Sequence, residues 1–108
     1  MRSIYDYTDY RRFLKDQFLE KKKTNPLFSY RSFNRVAGIT SSAFLKQVLD
    51  GKRNLGNRGI QMVARGFCLT EAETRHFEYL VKFNQSETEA ERDLYSRALT
   101  ENKSATGR

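Results

Sequence analysis

The amino-acid sequence predicts an all-α fold, a compact domain of five to six helices. Apolar residues recur three or four positions apart along most of the 108-residue chain, which is the spacing of a helix with one buried side. Short polar residues of the kind that cap helices precede several of these apolar runs. No stretch of any length shows the strict apolar–polar alternation of a strand.

The first helix is predicted to end at Asn25, because the residue before Pro26 is disfavoured in the α region. Asp6 or Thr8 is expected to cap its first turn. Its apolar positions are Tyr7, Tyr10, Phe13, Leu14 and Phe18.

Two short helices are predicted to follow, joined by a turn at Gly38. Ser29 is placed to cap the first of them, and Gly38 can adopt the left-handed conformation that ends it. Thr40 or Ser41 is expected to cap the next helix, predicted over residues 41–50. The expected buried residues of the pair are Phe33, Val36, Ala37, Phe44, Leu45, Val48 and Leu49.

Three more helices are predicted beyond Gly51. A polar loop leads into the fourth helix, and Thr70 and Ser86 each begin the pattern of a capping box. These boxes are expected to open helices over residues 71–83 and 87–100. The apolar residues of the three helices are Ile60, Val63, Ala64, Phe67, Phe77, Leu80, Val81, Ala90, Leu94, Tyr95 and Ala98.

Residues 1–100 are expected to form one domain, and residues 101–108 a disordered tail with nothing to bury. The composition, 38% hydrophobic and 31% charged, is typical of a globular chain. No apolar run approaches the ~18 residues of a membrane span, and the N-terminus lacks the apolar centre of a secretory signal. We therefore expect a cytoplasmic protein without a membrane partner, and the single cysteine, Cys68, agrees with a reducing compartment.

Positive charge is concentrated in the middle of the chain. Between Lys21 and Arg65 there are ten cations and one acid, a net charge of +9, whereas from Leu69 onward six cations face eight acids, a net charge of −2. A positively charged segment of this kind favours a polyanionic partner. The alternative is a solvated basic surface that only aids solubility.

Residues 30–54, YRSFNRVAGITSSAFLKQVLDGKRN, carry the clearest resemblance in the chain. Helix, glycine turn, second helix and a GKRN-like loop follow in the order found in the helix-turn-helix of phage repressor and Cro proteins. The resemblance implies a repressor-like domain whose helix over 41–50 lies in the major groove of DNA, while the preceding helix crosses the backbone.

A wider resemblance extends to about Leu99. The segments YDYTDYRRFLKD, FSYRSF, DGKRNL and YLVKFNQ look like the amino-terminal part of a poorly characterised family of bacterial transcription regulators, whose members usually continue into a second domain. It implies sequence-preferring binding to double-stranded DNA and a role in transcription regulation.

The side chains expected on the outer face of helix 41–50 are short or polar, so the helix can approach base edges closely. Gln47 can bond bidentately to adenine, Lys46 can reach guanine, and Ala43 can meet a thymine methyl. The candidate base-reading residues are Ser41, Ser42, Ala43, Lys46 and Gln47.

A second set of residues is expected to bind phosphates and to fix the register of the protein on DNA. Its members lie at the start of the second helix, where free N–H groups also attract anions, and in and beyond the loop after Gly51. The candidate phosphate-binding residues are Ser29, Tyr30, Arg31, Lys52, Arg53, Asn54 and Arg58.

Two features depart from the repressor pattern. Asn34 stands where a small residue is usual, four positions before the turn glycine, at the point where the two helices nearly touch. The spacing from Gly38 to Gly51 is also one residue longer than in the commonest pattern. It places Leu45 and Val48 at buried positions and shifts the expected base-facing residues by up to one position.

The sequence gives little support for catalysis or metal binding. We interpret Cys68 as a packing residue and His76 as a surface or interface residue, on different predicted helices. We therefore expect no catalytic residue, no bound metal, no cofactor and no small-molecule substrate.

A helical protein-interaction module without sequence-specific DNA binding is the alternative function. The last two predicted helices carry alternating charge and an apolar stripe that can extend past the core. In a repressor-like domain the same helices would serve a homodimer, since such proteins bind paired half-sites.

Overall fold

The computed structural model describes residues 2–105, and within them every regular element is helical. This confirms the predicted all-α class with six α-helices. A single 3-10 turn, Ile4–Asp6, precedes them. The helices are α1 (Tyr10–Thr24), α2 (Tyr30–Ala37), α3 (Phe44–Leu49), α4 (Asn57–Gly66), α5 (Glu71–Asn84) and α6 (Glu89–Ala105).

Helix α5 lies at the centre of the fold, where it packs against α1, α4, α6 and the 3-10 turn. Its Phe77 is fully buried, with ring centroids 6.3 Å from Tyr10 and 6.1 Å from Phe13 of α1. Helix α2 packs on α4, with the Phe33 ring 4.6 Å from that of Phe67. These aromatic contacts pair α5 with α1 and α2 with the end of α4, and all of these rings belong to one buried core.

The contact between α2 and α4 depends on a glycine. Gly66, the last residue of α4, is buried against Phe33, and a Cβ added there would lie closer than 3.0 Å to three atoms of the ring. Phe33 itself is 1% exposed. The absence of a side chain at Gly66 therefore allows the ring to pack against the helix backbone.

Several predicted helix ends are confirmed. Ser29 and Ser32 form a capping box at the start of α2, and Thr70 and Glu73 form another at the start of α5. Gly38 ends α2 with a φ of 76°. Asn25 ends α1, as the proline after it predicts.

The predicted caps of the first and sixth helices are wrong. The N-cap of α1 is Asp9, which accepts a hydrogen bond from the N–H of Arg11, and not Asp6 or Thr8. Helix α6 is preceded by Thr88, whose hydroxyl oxygen accepts the N–H of Glu91. The hydroxyl of Ser86 instead donates to the Lys82 carbonyl at the end of α5, so it is not available as a cap for α6.

Helix α3 starts later than predicted. It begins at Phe44 with Ala43 as N-cap and no side-chain cap, so the expected span of residues 41–50 and the expected cap at Thr40 or Ser41 are both wrong. The Ser41 carbonyl accepts hydrogen bonds from Asn34 Nδ2, at 3.3 Å, and from the Phe44 N–H, at 3.4 Å. Ser41 and Ser42 therefore belong to the turn between the helices.

The outer helices bury less than predicted. Val36 of α2 is 52% exposed, and Leu94 of α6 is 58% exposed. Ala90 is also exposed, while Tyr95 and Ala98 are half-buried, because α6 packs chiefly against α5. Helix α6 continues to Ala105, into the segment expected to be a disordered tail, and residues 106–108 lie outside the described residues.

The end of α5 is tied to two distant parts of the chain. Asn84 accepts the N–H of Tyr10 at 2.8 Å and donates to the Thr8 carbonyl at 2.9 Å, so it caps the start of α1. The Gln85 amide exchanges two hydrogen bonds with the backbone of Leu55, at 2.9 and 2.8 Å, and its oxygen also accepts the Tyr10 hydroxyl. Asn84 thus ties the start of α1 to α5, and Gln85 fixes the loop between α3 and α4 to the core.

Candidate nucleic-acid interface

Helix α3 is sharply divided between a buried and an exposed side. Phe44, Leu45, Val48 and Leu49 are all buried, as predicted, and each is at most 6% exposed. The five candidate base-reading residues, Ser41, Ser42, Ala43, Lys46 and Gln47, are all exposed. Lys46 and Gln47 lie on the helix itself, whereas the other three belong to the turn before it.

Lys46 is engaged on the helix surface. Its ammonium donates to the Asp50 carboxylate, with Nζ and Oδ2 3.1 Å apart. This hydrogen bond, with the charge of the carboxylate, raises the pKa of Lys46. The pair is exposed, so it contributes little to folding because water screens it.

The loop after α3 presents its cations in different ways. The Arg53 guanidinium lies over the Phe44 ring, 4.6 Å from its centroid, and this contact holds it beside α3. The side chains of Lys52 and Arg58 are exposed and make no hydrogen bond or ion pair within residues 2–105. Asn54 is exposed, but its side-chain oxygen already accepts a hydrogen bond from Arg11.

Arg11 of α1 is the residue that sequence reasoning missed. Its guanidinium donates to the carbonyls of Val48, at 2.6 Å, and Arg53, at 2.9 Å, and to Asn54 Oδ1 at 2.7 Å. It also lies 4.8 Å from the centroid of the Tyr10 ring. Because Val48 is in α3, this one side chain fixes both the helix and the loop after it to α1.

The other candidate phosphate-binding residues lie at the start of α2. Arg31 is exposed, whereas Ser29 and Tyr30 are half-buried. The Ser29 hydroxyl oxygen accepts the Ser32 N–H in the capping box. The Tyr30 ring stacks on Phe18 of α1, with centroids 4.6 Å apart. Ser29 and Tyr30 therefore shape the start of α2, and Arg31 is the exposed cation there.

Asn34 lies at the helix crossing, as its position in the pattern indicates. It is 8% exposed, its Nδ2 donates to the Ser41 carbonyl, and its Oδ1 is buried without a hydrogen-bond partner within the described part of the chain. The amide thus supports the turn between α2 and α3 with one of its two polar atoms.

Asn34→Ala is expected to be neutral or to stabilise the fold by up to about 1 kcal/mol. The change removes one long hydrogen bond, but it also removes an unpaired buried oxygen and introduces a better helix former. Urea unfolding of this variant and of Arg35→Ala, a neighbouring exposed site, separates the helix-propensity gain from the effect at the crossing. A clear loss of stability for Asn34→Ala alone would show that the bond to Ser41 holds the turn.

The two residues considered for catalysis differ from expectation. Cys68 is exposed, not packed, and its φ of 56° places it in the left-handed region just after α4. His76 is buried at 2% exposure, with Nδ1 3.0 Å from Asn102 Nδ2. Burial, with a smaller effect from the Lys103 charge, lowers the pKa of His76 to about 4. Within residues 2–105, no group of three or more His, Cys, Asp or Glu side chains is arranged to hold a metal ion.

Comparison with protein-family models, with curated proteins and with solved structures found no match. Among the described residues, no helix combines the length and apolarity needed to cross a membrane.

Proposed function

We propose that this chain binds double-stranded DNA in a sequence-preferring manner, with α3 in the major groove, and that it is a cytoplasmic transcription regulator. The observation that carries the proposal is the surface around α3. Its buried side is fixed in the core, and all five candidate base-reading residues are exposed beside it. Arg31, Lys52, Arg53 and Arg58 are exposed in the flanking segments and are suited to phosphates.

The positioning of α3 supports the same proposal. Specific readout requires that a short helix be held in place, and α3 has only six residues. Arg11 holds its C-terminal end, and the bonds of Gln85 to Leu55 hold the loop that follows. The surface is thus held by hydrogen bonds to neighbouring elements, as a base-reading element needs.

Binding is tested by fluorescence anisotropy with labelled duplexes over a series of salt concentrations. The affinity should fall steeply as salt rises, because each neutralised phosphate releases counterions and contributes about 0.9 to the slope of log affinity against log salt. Selection from a random duplex library should then return a preferred sequence. For a homodimer, it should contain two half-sites about one helical turn apart.

Gln47→Ala is expected to reduce sequence preference while non-specific affinity stays nearly constant. A good bidentate contact between an amide side chain and adenine contributes about 1–3 kcal/mol of discrimination, and alanine cannot make it. The ratio of affinities for the selected and a scrambled duplex measures the effect. Gln61→Ala on α4 is the matched control, since Gln61 is also an exposed helical glutamine. An unchanged ratio would exclude Gln47 as a reader.

The alternative, a protein-interaction module, has one observation in its favour. Leu94 is exposed on α6, and α6 packs chiefly against α5. A chain that binds every duplex weakly, without salt dependence or preference, but retains a protein partner at high salt would support this module over DNA binding.

A further inference from the structure

Asp50 is the single acid between Lys21 and Arg65, and it lies at the end of α3. Helical spacing places residues three and four apart on the same side, so Asp50 shares the exposed side of α3 with Lys46 and Gln47. A carboxylate on this surface would repel DNA phosphates. Asp50 therefore lowers non-specific affinity for DNA, and its presence on this surface must have another explanation.

Folding does not supply that explanation. The Lys46–Asp50 pair is exposed, with 63% and 41% of the two side chains accessible to solvent. Water screens such a pair, and it buries no apolar surface. What the pair does provide is a cationic donor and an anionic acceptor 3.1 Å apart on the surface proposed to face the bases.

We infer that Lys46 and Asp50 act as one unit that reads a single G·C base pair in the major groove. The inference rests on the proposed function of α3. Guanine O6 is an acceptor there, and the cytosine N4 amino group is a donor. These two atoms are hydrogen-bonded to each other in the base pair, so they lie about 2.9–3.0 Å apart. The protein pair therefore matches the base-pair edge in both spacing and polarity.

The chemistry of the ammonium favours G·C over A·T. Lys46 has three N–H donors, and Asp50 takes one of them, which leaves two for guanine O6 and N7. An A·T pair also offers a donor beside an acceptor, but the thymine methyl lies next to O4. The methyl group would lie against the Lys46 ammonium, and thymine offers that ammonium no second acceptor beside O4.

Asp50→Asn tests the inference. The variant has nearly the same shape, but it loses the anion that holds Lys46 and accepts from cytosine. Random-duplex selection by wild type and variant should show that preference for G·C falls by about tenfold or more at one base pair, with the other positions unchanged. Since asparagine can bond to adenine N6 and N7, the variant should shift that position toward A·T.

Lys46→Met should lose preference at the same base pair. The double variant should show no further loss there, because the two side chains act together. Glu71→Gln on α5 is the matched control, since it removes the acid of another i,i+4 pair and changes the net charge equally. Circular dichroism melts should show that all of these surface variants are folded.

Two outcomes separate the inference from the proposed function. If wild type binds no duplex with preference, both fail. If wild type has a preferred sequence, and Asp50→Asn binds all duplexes more tightly with every base preference intact, then DNA binding stands. Asp50 would in that case only weaken non-specific affinity, and the paired-reader inference would be wrong.

Discussion

Replacing Gly66 with alanine is expected to lower the free energy of unfolding by about 2 kcal/mol. Helix propensity alone predicts the opposite, a gain of about 1 kcal/mol. Packing should prevail, because the added Cβ would overlap the Phe33 ring, which is 1% exposed and packed on Phe67. Because the ring is buried against Phe67, moving it away from the added Cβ would disturb the contact between α2 and α4.

Urea unfolding followed by circular dichroism measures this loss. Gly56→Ser is the matched control: Gly56 caps α4, a Cβ there meets nothing within 4 Å, and serine is a favoured N-cap. This variant should keep or slightly increase stability. A Gly66→Ala variant as stable as wild type would mean that α2 and α4 can separate at no cost.

Replacing Arg11 with methionine is expected to affect both stability and DNA binding. The variant keeps the apolar stem but loses hydrogen bonds to three acceptors in α3 and the loop after it. Hydrogen bonds of charged groups contribute about 1.5–3 kcal/mol each, so a loss of about 2 kcal/mol is a conservative expectation. DNA affinity should fall by about tenfold or more, since α3 would no longer be held in register.

The salt dependence of binding shows whether Arg11 positions α3 or contacts a phosphate directly. Its guanidinium is turned toward protein carbonyls, so its removal should leave the slope of log affinity against log salt unchanged. Arg11→Lys should restore binding only in part, because an ammonium lacks the planar fork of donors. Arg12→Met, at an exposed neighbouring site, should change little. A slope that falls by about 0.9 for Arg11→Met would instead indicate a direct phosphate contact.

The parts of the fold that the sequence predicted correctly are those determined by local signals. Ser29, Gly38 and Thr70 act on residues within one helical turn, and the structure has each of them in the predicted role. The predicted start of α3 was wrong because a contact from the preceding helix competes with local capping. The Ser41 carbonyl is held by Asn34 from another helix, so propensity at residues 40 and 41 does not decide where α3 begins.

In the candidate site, too, the features set by local sequence were predicted and those set by long-range contacts were not. The division of α3 into buried and exposed residues follows from apolar spacing, and it is confirmed. The role of Arg11 could not be predicted, because its acceptors lie 37 to 43 positions further along the chain. A single arginine on an amphipathic helix has the same pattern whether it faces water or a neighbouring helix.

The ties made by Asn84 and Gln85 have a consequence for the order in which the chain folds during synthesis. Every residue of the proposed interface lies within the first 58 positions, yet the side chains that bond to the Tyr10 N–H and to the backbone of Leu55 come from positions 84 and 85. Closing these links joins segments 30 to 76 residues apart. A growing chain therefore contains all the interface residues before the side chains that hold them in place have been synthesised. The surface reaches its final form only once α5 has left the ribosome.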